Sequence, residues 1–262
     1  LNLSLVAENF YLNKEYDKAT KVLKNFDKKY EFYYWFRSKK EAQIIIKKNG
    51  YDKGIDFINS KFSKIDNPNI KIIFDIANFY KNSKNYEKAI MYYSKIISLL
   101  SNNPEVKSDL LYRRGGSYER LGNYEKADED LLNSLKINPD DAYVLNYLAY
   151  SWLERDYKID EAMEMLKKAY DLRSNDPYIT DSIGWAYYLI ENYIEAEKYL
   201  KKAVELMPED ATVNDHYGDI LWKLNRNMQA RYFWNYVLSL DNADEEIKQK
   251  INIKILEGLK NS

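Results

Sequence analysis

His216 is the only histidine in the chain, and Asp181, Ser182, Asp215 and Asp219 belong to the same stretch. A serine, a histidine and an aspartate are the parts of a hydrolytic relay, in which the imidazole takes the hydroxyl proton and the carboxylate orients the ring. Such a relay works only with mutual geometry and with donors aimed at the developing oxyanion. These residues fall on helical segments with no glycine-rich turn beside them, so the expected role of His216 is a hydrogen-bonded structural or groove-lining one. One histidine among scattered carboxylates is also a weak ligand set, and neither a metal nor any other cofactor is expected. The chain has no cysteine, which removes thiol catalysis, disulfides and cysteine-based zinc sites. Arg114-Gly115-Gly116-Ser117 is glycine-rich but sits in a helical pattern, unlike a phosphate-binding loop. The sequence therefore reads as that of a protein that is not an enzyme.

The elements that position these residues follow from a recurring phrase. Asn85-Tyr86-Glu87-Lys88-Ala89 returns as Asn123-Tyr124-Glu125-Lys126-Ala127, with looser copies elsewhere. The closing small residues are Ala19, Gly54, Ala89, Ala127, Ala162, Ala196 and Ala230, at intervals of 34 or 35 residues with one of 38 between Ala89 and Ala127. A fixed period of this size marks a solenoid of stacked units. Around the fourth copy, Leu111, Gly115 and Tyr118 share one helical face. Gly122-Asn123 makes a turn, and Tyr124, Ala127, Leu131 and Leu135 line a second helix that Pro139 blocks. Gly115 and Ala127 mark a close crossing of the two helices. Ala243–Leu259 reads as one more helix, with Ile247, Ile251, Ile255 and Leu259 in a single stripe. Its acids come first, and Lys248, Lys250, Lys254 and Lys260 come later, as a helix dipole favours and as a terminal cap requires.

The expectation is an all-α fold: a right-handed α-solenoid of about seven helix–turn–helix repeats with a C-terminal capping helix. Repeats one to three occupy 1–103, repeats four to seven 104–242, and the cap 243–262. The long interval places extra residues at Ser101-Asn102-Asn103-Pro104, read as a longer turn with a modest hinge. The chain opens at Leu1 inside a repeat, which gives the expectation of missing upstream sequence.

Bulk properties narrow the partners. The chain has 262 residues, 45% hydrophobic and 31% charged, with a net charge of −1. It is a folding chain rather than a disordered one. The first 70 residues are net basic and the rest net acidic, and neither part concentrates lysine and arginine as a phosphate-tracking surface does, which argues against nucleic acid. No apolar run is long enough for a transmembrane segment.

The pattern resembles the tetratricopeptide repeat. The matching sets are Leu148, Trp152, Ala162 and Ala169; Gly184, Tyr187, Ala196, Leu200, Ala203 and Pro208; and Gly218, Leu221, Ala230 and Trp234. The resemblance implies that the first helix of each repeat lines an inner groove. The candidate partner-binding residues are then Tyr112 and Arg113 in repeat four and Tyr143, Asn146, Tyr147 and Tyr150 in repeat five. Repeat six adds Tyr178, Asp181, Trp185 and Tyr188, and repeat seven adds Asp215, Asp219 and Trp222. Tyrosine and tryptophan give large contact area at low entropic cost. With 26 tyrosines in the chain, many aromatic residues are simply core. Some domains of this family clamp a partner's terminal carboxylate; the nearest set here, Lys39, Gln43 and Arg113, is interrupted by Asp75 and Asp109. A protein or peptide ligand with apolar and basic character fits better.

The last three repeats, about Asp141–Asp241, are similar to proteobacterial envelope proteins of this kind, some of which are outer-membrane lipoprotein adaptors. The likeness rests on Asn146–Trp152, Asp181–Tyr188, Asn214–Asp219 and Ala230–Trp234. It implies a non-catalytic scaffold or adaptor at the periplasm or outer membrane, with a cytoplasmic location as the alternative. The second functional reading is a regulatory or substrate-recruiting module of a larger multidomain enzyme, and the third is self-association through the groove or a terminal repeat.

Overall fold

The computed structural model describes residues 3–25, 31–100 and 103–259. Ser101 and Asn102, on which the expected longer turn falls, and Lys260 lie outside the described residues. Among the described residues the secondary structure is fifteen α-helices. Seven hairpins pair α1 (Leu3–Leu12) with α2 (Tyr16–Leu23), α3 (Glu31–Asn49) with α4 (Tyr51–Phe62), α5 (Ile70–Asn82) with α6 (Tyr86–Leu99), and α7 (Pro104–Arg120) with α8 (Tyr124–Ile137). They continue with α9 (Ala142–Leu153) and α10 (Ile159–Leu172), α11 (Pro177–Leu189) and α12 (Tyr193–Leu206), and α13 (Ala211–Lys223) and α14 (Asn227–Ser239). A final helix, α15 (Glu245–Glu257), packs on α14. This is the all-α repeat fold that the spacing predicts. The helices form two compact units, residues 1–137 and 138–262.

The recurring phrase is a helix stop followed at once by a helix start. Lys14, Lys84, Gly122, Glu191 and Asn225 each adopt a left-handed φ between 60° and 72° at the end of a first helix. The next residue donates its N–H to the carbonyl five positions back: Asn85 to Tyr80, Asn123 to Tyr118, Asn192 to Tyr187 and Arg226 to Leu221, each at 2.9 Å. This left-handed closure satisfies the orphan carbonyls of the helix end. The asparagine then caps the second helix, Asn85 accepting from the Lys88 N–H and Asn192 from the Glu195 N–H.

The small residues mark where paired helices touch. A Cβ on Gly115 would meet Leu131 at 3.0 Å and the Ala127 carbonyl at 3.2 Å, and one on Gly184 would meet Leu200 at 2.8 Å. On Gly218 it would run into the Trp234 indole. In the first unit the core gathers Trp35, Ile73, Ile76, Tyr93 and Ile96; in the second, Leu200, Ile220, Leu221, Trp234, Val237 and Ile251. Each of the aliphatic side chains among them, once fully buried, contributes about 1.5–3 kcal/mol.

Candidate functional site

In the second unit the first helices are set in register by their caps. Asp141, Asp176 and Asp210 each accept from the backbone N–H groups two and three residues on. Counting from the cap, Asn146, Asp181 and Asp215 hold one equivalent position, and Tyr150, Trp185 and Asp219 another. Helix α11 packs against both α9 and α13, so these positions form rows across three neighbouring helices.

The structure treats the members of each row differently. Tyr143 and Tyr178, equivalent on α9 and α11, are 44% and 55% exposed. The Tyr143 hydroxyl donates to Asp176 at 3.2 Å, and the Arg173 guanidinium lies 5.0 Å from its ring centre. Tyr147 and Tyr150 are half-buried and engaged in contacts of their own. Trp185 lies nearly parallel to Tyr188, at 4.5 Å, and to the His216 imidazole, at 4.1 Å. Its Nε1 donates to Glu154 at 2.9 Å, tying α11 to the end of α9. Burial raises the Tyr188 hydroxyl above the ordinary tyrosine range, with Asp219 adding to the effect.

Asp181 is buried, only 6% exposed. Its Oδ2 lies 2.8 Å from Nδ1 of His216, while Oδ1 has no hydrogen-bond partner. The Asn146 Oδ1, in the same row, is likewise buried without a partner. Burial opposes a charge on His216, but Asp181 first, then Asp215 and Asp219, outweigh it and raise its pKa. The imidazole is thus held by one aspartate and covered by one indole, the arrangement of a tie between α11 and α13. Ser182 is buried on α11. Among the described residues no group of three or more His, Cys, Asp or Glu could hold a metal ion.

Asp215 and Asp219 meet a cation from the terminal helix. Lys254 of α15 donates to Asp215 at 2.6 Å and to both oxygens of Asp219 at 2.8 Å. Asp219 also accepts from Trp234 Nε1 at 3.0 Å. Burial pushes the Asp219 carboxyl up to about 6, the Asp215 charge adds to this, and Lys254 works against it. Burial lowers the Lys254 ammonium, but the two carboxylates outweigh it and its pKa is raised. Trp222 packs against Trp234, with centroids 5.4 Å apart, beneath the Arg231 guanidinium at 4.8 Å. Lys254 therefore does more than suit a helix dipole, which is all that its position in the sequence had suggested. Glu154, too, carries no motif that would single it out.

Tyr112 and Arg113 belong to the first unit. Tyr112 is half-buried, and Arg113 pairs with Asp109 at 2.8 Å and lies over Phe74 at 5.1 Å. Lys39 pairs with Asp75 at 3.0 Å. The two cations of the sequence's nearest carboxylate-clamp set are thus each neutralised by an aspartate one helical turn or one hairpin away. Among the described residues no helix is long and apolar enough to cross a membrane.

The tetratricopeptide repeat family pattern matches residues 70–103, 108–141 and 182–210, the hairpins α5–α6, α7–α8 and most of α11–α12. A TPR repeat-containing protein of Pseudomonas aeruginosa is 28% identical over 160 residues, which cover 61% of this chain and 26% of that protein. A lipoprotein NlpI homolog of Haemophilus influenzae is 30% identical over 113 residues, 43% of this chain and 35% of that one. The chain thus spans about a quarter and a third of the lengths of these relatives. Among solved structures, a tetratricopeptide repeat protein from Parabacteroides merdae superposes with a TM-score of 0.62 at 16% identity, covering 86% of this chain and 88% of that one. At that identity the likeness speaks for the fold alone.

Proposed function

Because the chain is a tetratricopeptide-repeat protein, we propose that it is a non-catalytic scaffold whose second unit holds a partner protein or peptide on the first-helix face of α9 and α11. Repeats of this family serve in general as protein-interaction scaffolds. The observation that carries the more specific reading is the pair Tyr143 and Tyr178. Two large rings stand in register one repeat apart, both substantially exposed. Beside them Asn146, Tyr147, Tyr150 and Trp185 continue a half-buried aromatic and polar surface. Tyrosine and tryptophan left in solvent on a rigid face are the residues that interface hot spots favour.

On this reading the partner segment is apolar and basic, because the face carries carboxylates and aromatic rings, which attract cations. A cell-envelope setting belongs to the same proposal, and its support is the lipoprotein among the relatives. The test is affinity capture from the native organism with the full chain and with Tyr143→Ser/Tyr178→Ser/Trp185→Ala. The expected result is loss of the specific partner from a triple variant that keeps its helical content and melting behaviour. Undiminished recovery by that folded variant would remove the face from the account.

A further inference from the structure

Three carboxylates occur on the first-helix face of the second unit, and they are not equally available. Asp215 and Asp219 share the Lys254 ammonium, and Asp219 takes a further bond from Trp234. An incoming cation would have to displace an intramolecular one there. Asp181 differs: His216 satisfies its Oδ2 alone, and Oδ1 is buried with no partner. One helix away, at the equivalent position of α9, Asn146 presents a second buried oxygen with no partner. Native proteins leave few buried acceptors unpaired, because each one forfeits its hydration, so each such atom calls for a physical explanation. Asn214 Oδ1 on α13 and Trp152 Nε1 on α9 are buried without a partner too, but of these four only Asn146 and Asp181 share a row, on helices packed side by side, which points to a common donor for that pair.

We propose that Asn146 and Asp181 form a subsite for one arginine guanidinium of the partner segment. A guanidinium is planar and carries several donors in a fixed fork, so one group serves acceptors on two neighbouring helices, where an ammonium acts as a point charge. The proposal rests on the scaffold reading and fixes the place and chemistry of its charged contact: repeats five and six, rather than the acid pair of repeat seven that Lys254 already fills.

The test is to pan a random peptide library on the folded full chain and to measure binding of the selected peptides, acetylated and amidated, by titration calorimetry. The expected peptides share an arginine near apolar or aromatic residues. Replacing that arginine by citrulline, or the protein's Asp181 by Asn, is expected to lower affinity tenfold or more. Asn146→Asp adds a carboxylate at the same row and is expected to raise affinity for the arginine peptide and leave the citrulline peptide unchanged. This gain cannot come from misfolding, so it keeps the test decisive if Asp181→Asn is destabilised. Peptides that need Tyr143 and Tyr178 but tolerate Asp181→Asn, and gain nothing from Asn146→Asp, would overturn the subsite while leaving the scaffold face standing. Dependence on Asp215 instead of Asp181 would do the same. Selected peptides indifferent to every change on this face would overturn both.

Discussion

His216 Nδ1 lies 2.8 Å from Asp181 Oδ2 across 35 residues of sequence. Lys254 reaches Asp219 across the same interval, and Lys39 reaches Asp75 across 36. Each interval is about one repeat. Stacked hairpins bring a residue beside its equivalent one period on, so polar partners separated by a period meet across neighbouring helices. These three ties between neighbouring members of the stack follow that rule.

The His216–Asp181 contact makes stability depend on pH. The folded pKa of His216 is raised above its unfolded value near 6.5, so its contribution is fully present below about pH 6.5 and is lost as pH rises through the folded value. A proton titration of this single imidazole by NMR is expected to show a midpoint above 6.5. In Asp181→Asn the midpoint falls, since burial then meets less opposition. A wild-type midpoint at or below 6.5 would contradict the arrangement.

Lys254 is expected to matter far more than the other lysines of its helix. Its change to Ala leaves Asp215 and the buried Asp219 without their cation, a loss of about 3 kcal/mol on the scale of broken buried pairs. Lys250, whose partner Glu246 is exposed, provides the comparison, since exposed pairs contribute little. Denaturant unfolding of the two alanine variants measures the difference, and equal losses would rule out the terminal helix as an electrostatic clasp on α13.

Gly218→Ala tests the tightest glycine crossing within a hairpin of the second unit. The added methyl meets the Trp234 indole, which must move and so weakens its bond to Asp219. The expected cost is about 1–3 kcal/mol, in the range of overpacked cores. Trp234 fluorescence should change with it, and an unaltered spectrum with unaltered stability would contradict the packing.

Glu191 holds φ at 61°, a conformation that costs a residue with a Cβ about 1 kcal/mol or somewhat more. Glu191→Gly removes that strain while loosening the unfolded chain, so a net gain of up to about 1 kcal/mol is expected. Asn192→Ala should cost about 1 kcal/mol through its lost cap. Thermal melts of both variants check the turn, and a destabilised glycine variant would show that the left-handed residue is held by something other than the backbone closure.

The repeat period made the hairpins legible because the small residues at helix crossings and the asparagine caps are local signals. Lys84, Glu191 and Asn225 were harder to read, since only the corresponding Gly122 advertises a left-handed turn. The rows of the candidate face were legible as positions, because the caps fix register. Their states were not. Sequence spacing cannot tell that Asp219 is buried beneath a lysine, because that depends on how α15 folds back over α13. Lys254 looked like a cation placed for a helix dipole, and the one-period interval to Asp219 was the signal that tied it to the acid pair.

Site-specific photocrosslinking in the native organism locates the partner on one helix face or the other. A photoreactive phenylalanine analogue would replace Tyr178 on α11 in one strain and Tyr232, an exposed residue of the second helix α14, in another. A binding face on the first helices gives a discrete crosslinked partner from position 178 and none from position 232. A partner captured equally or better from position 232 would contradict a binding face on the first helices.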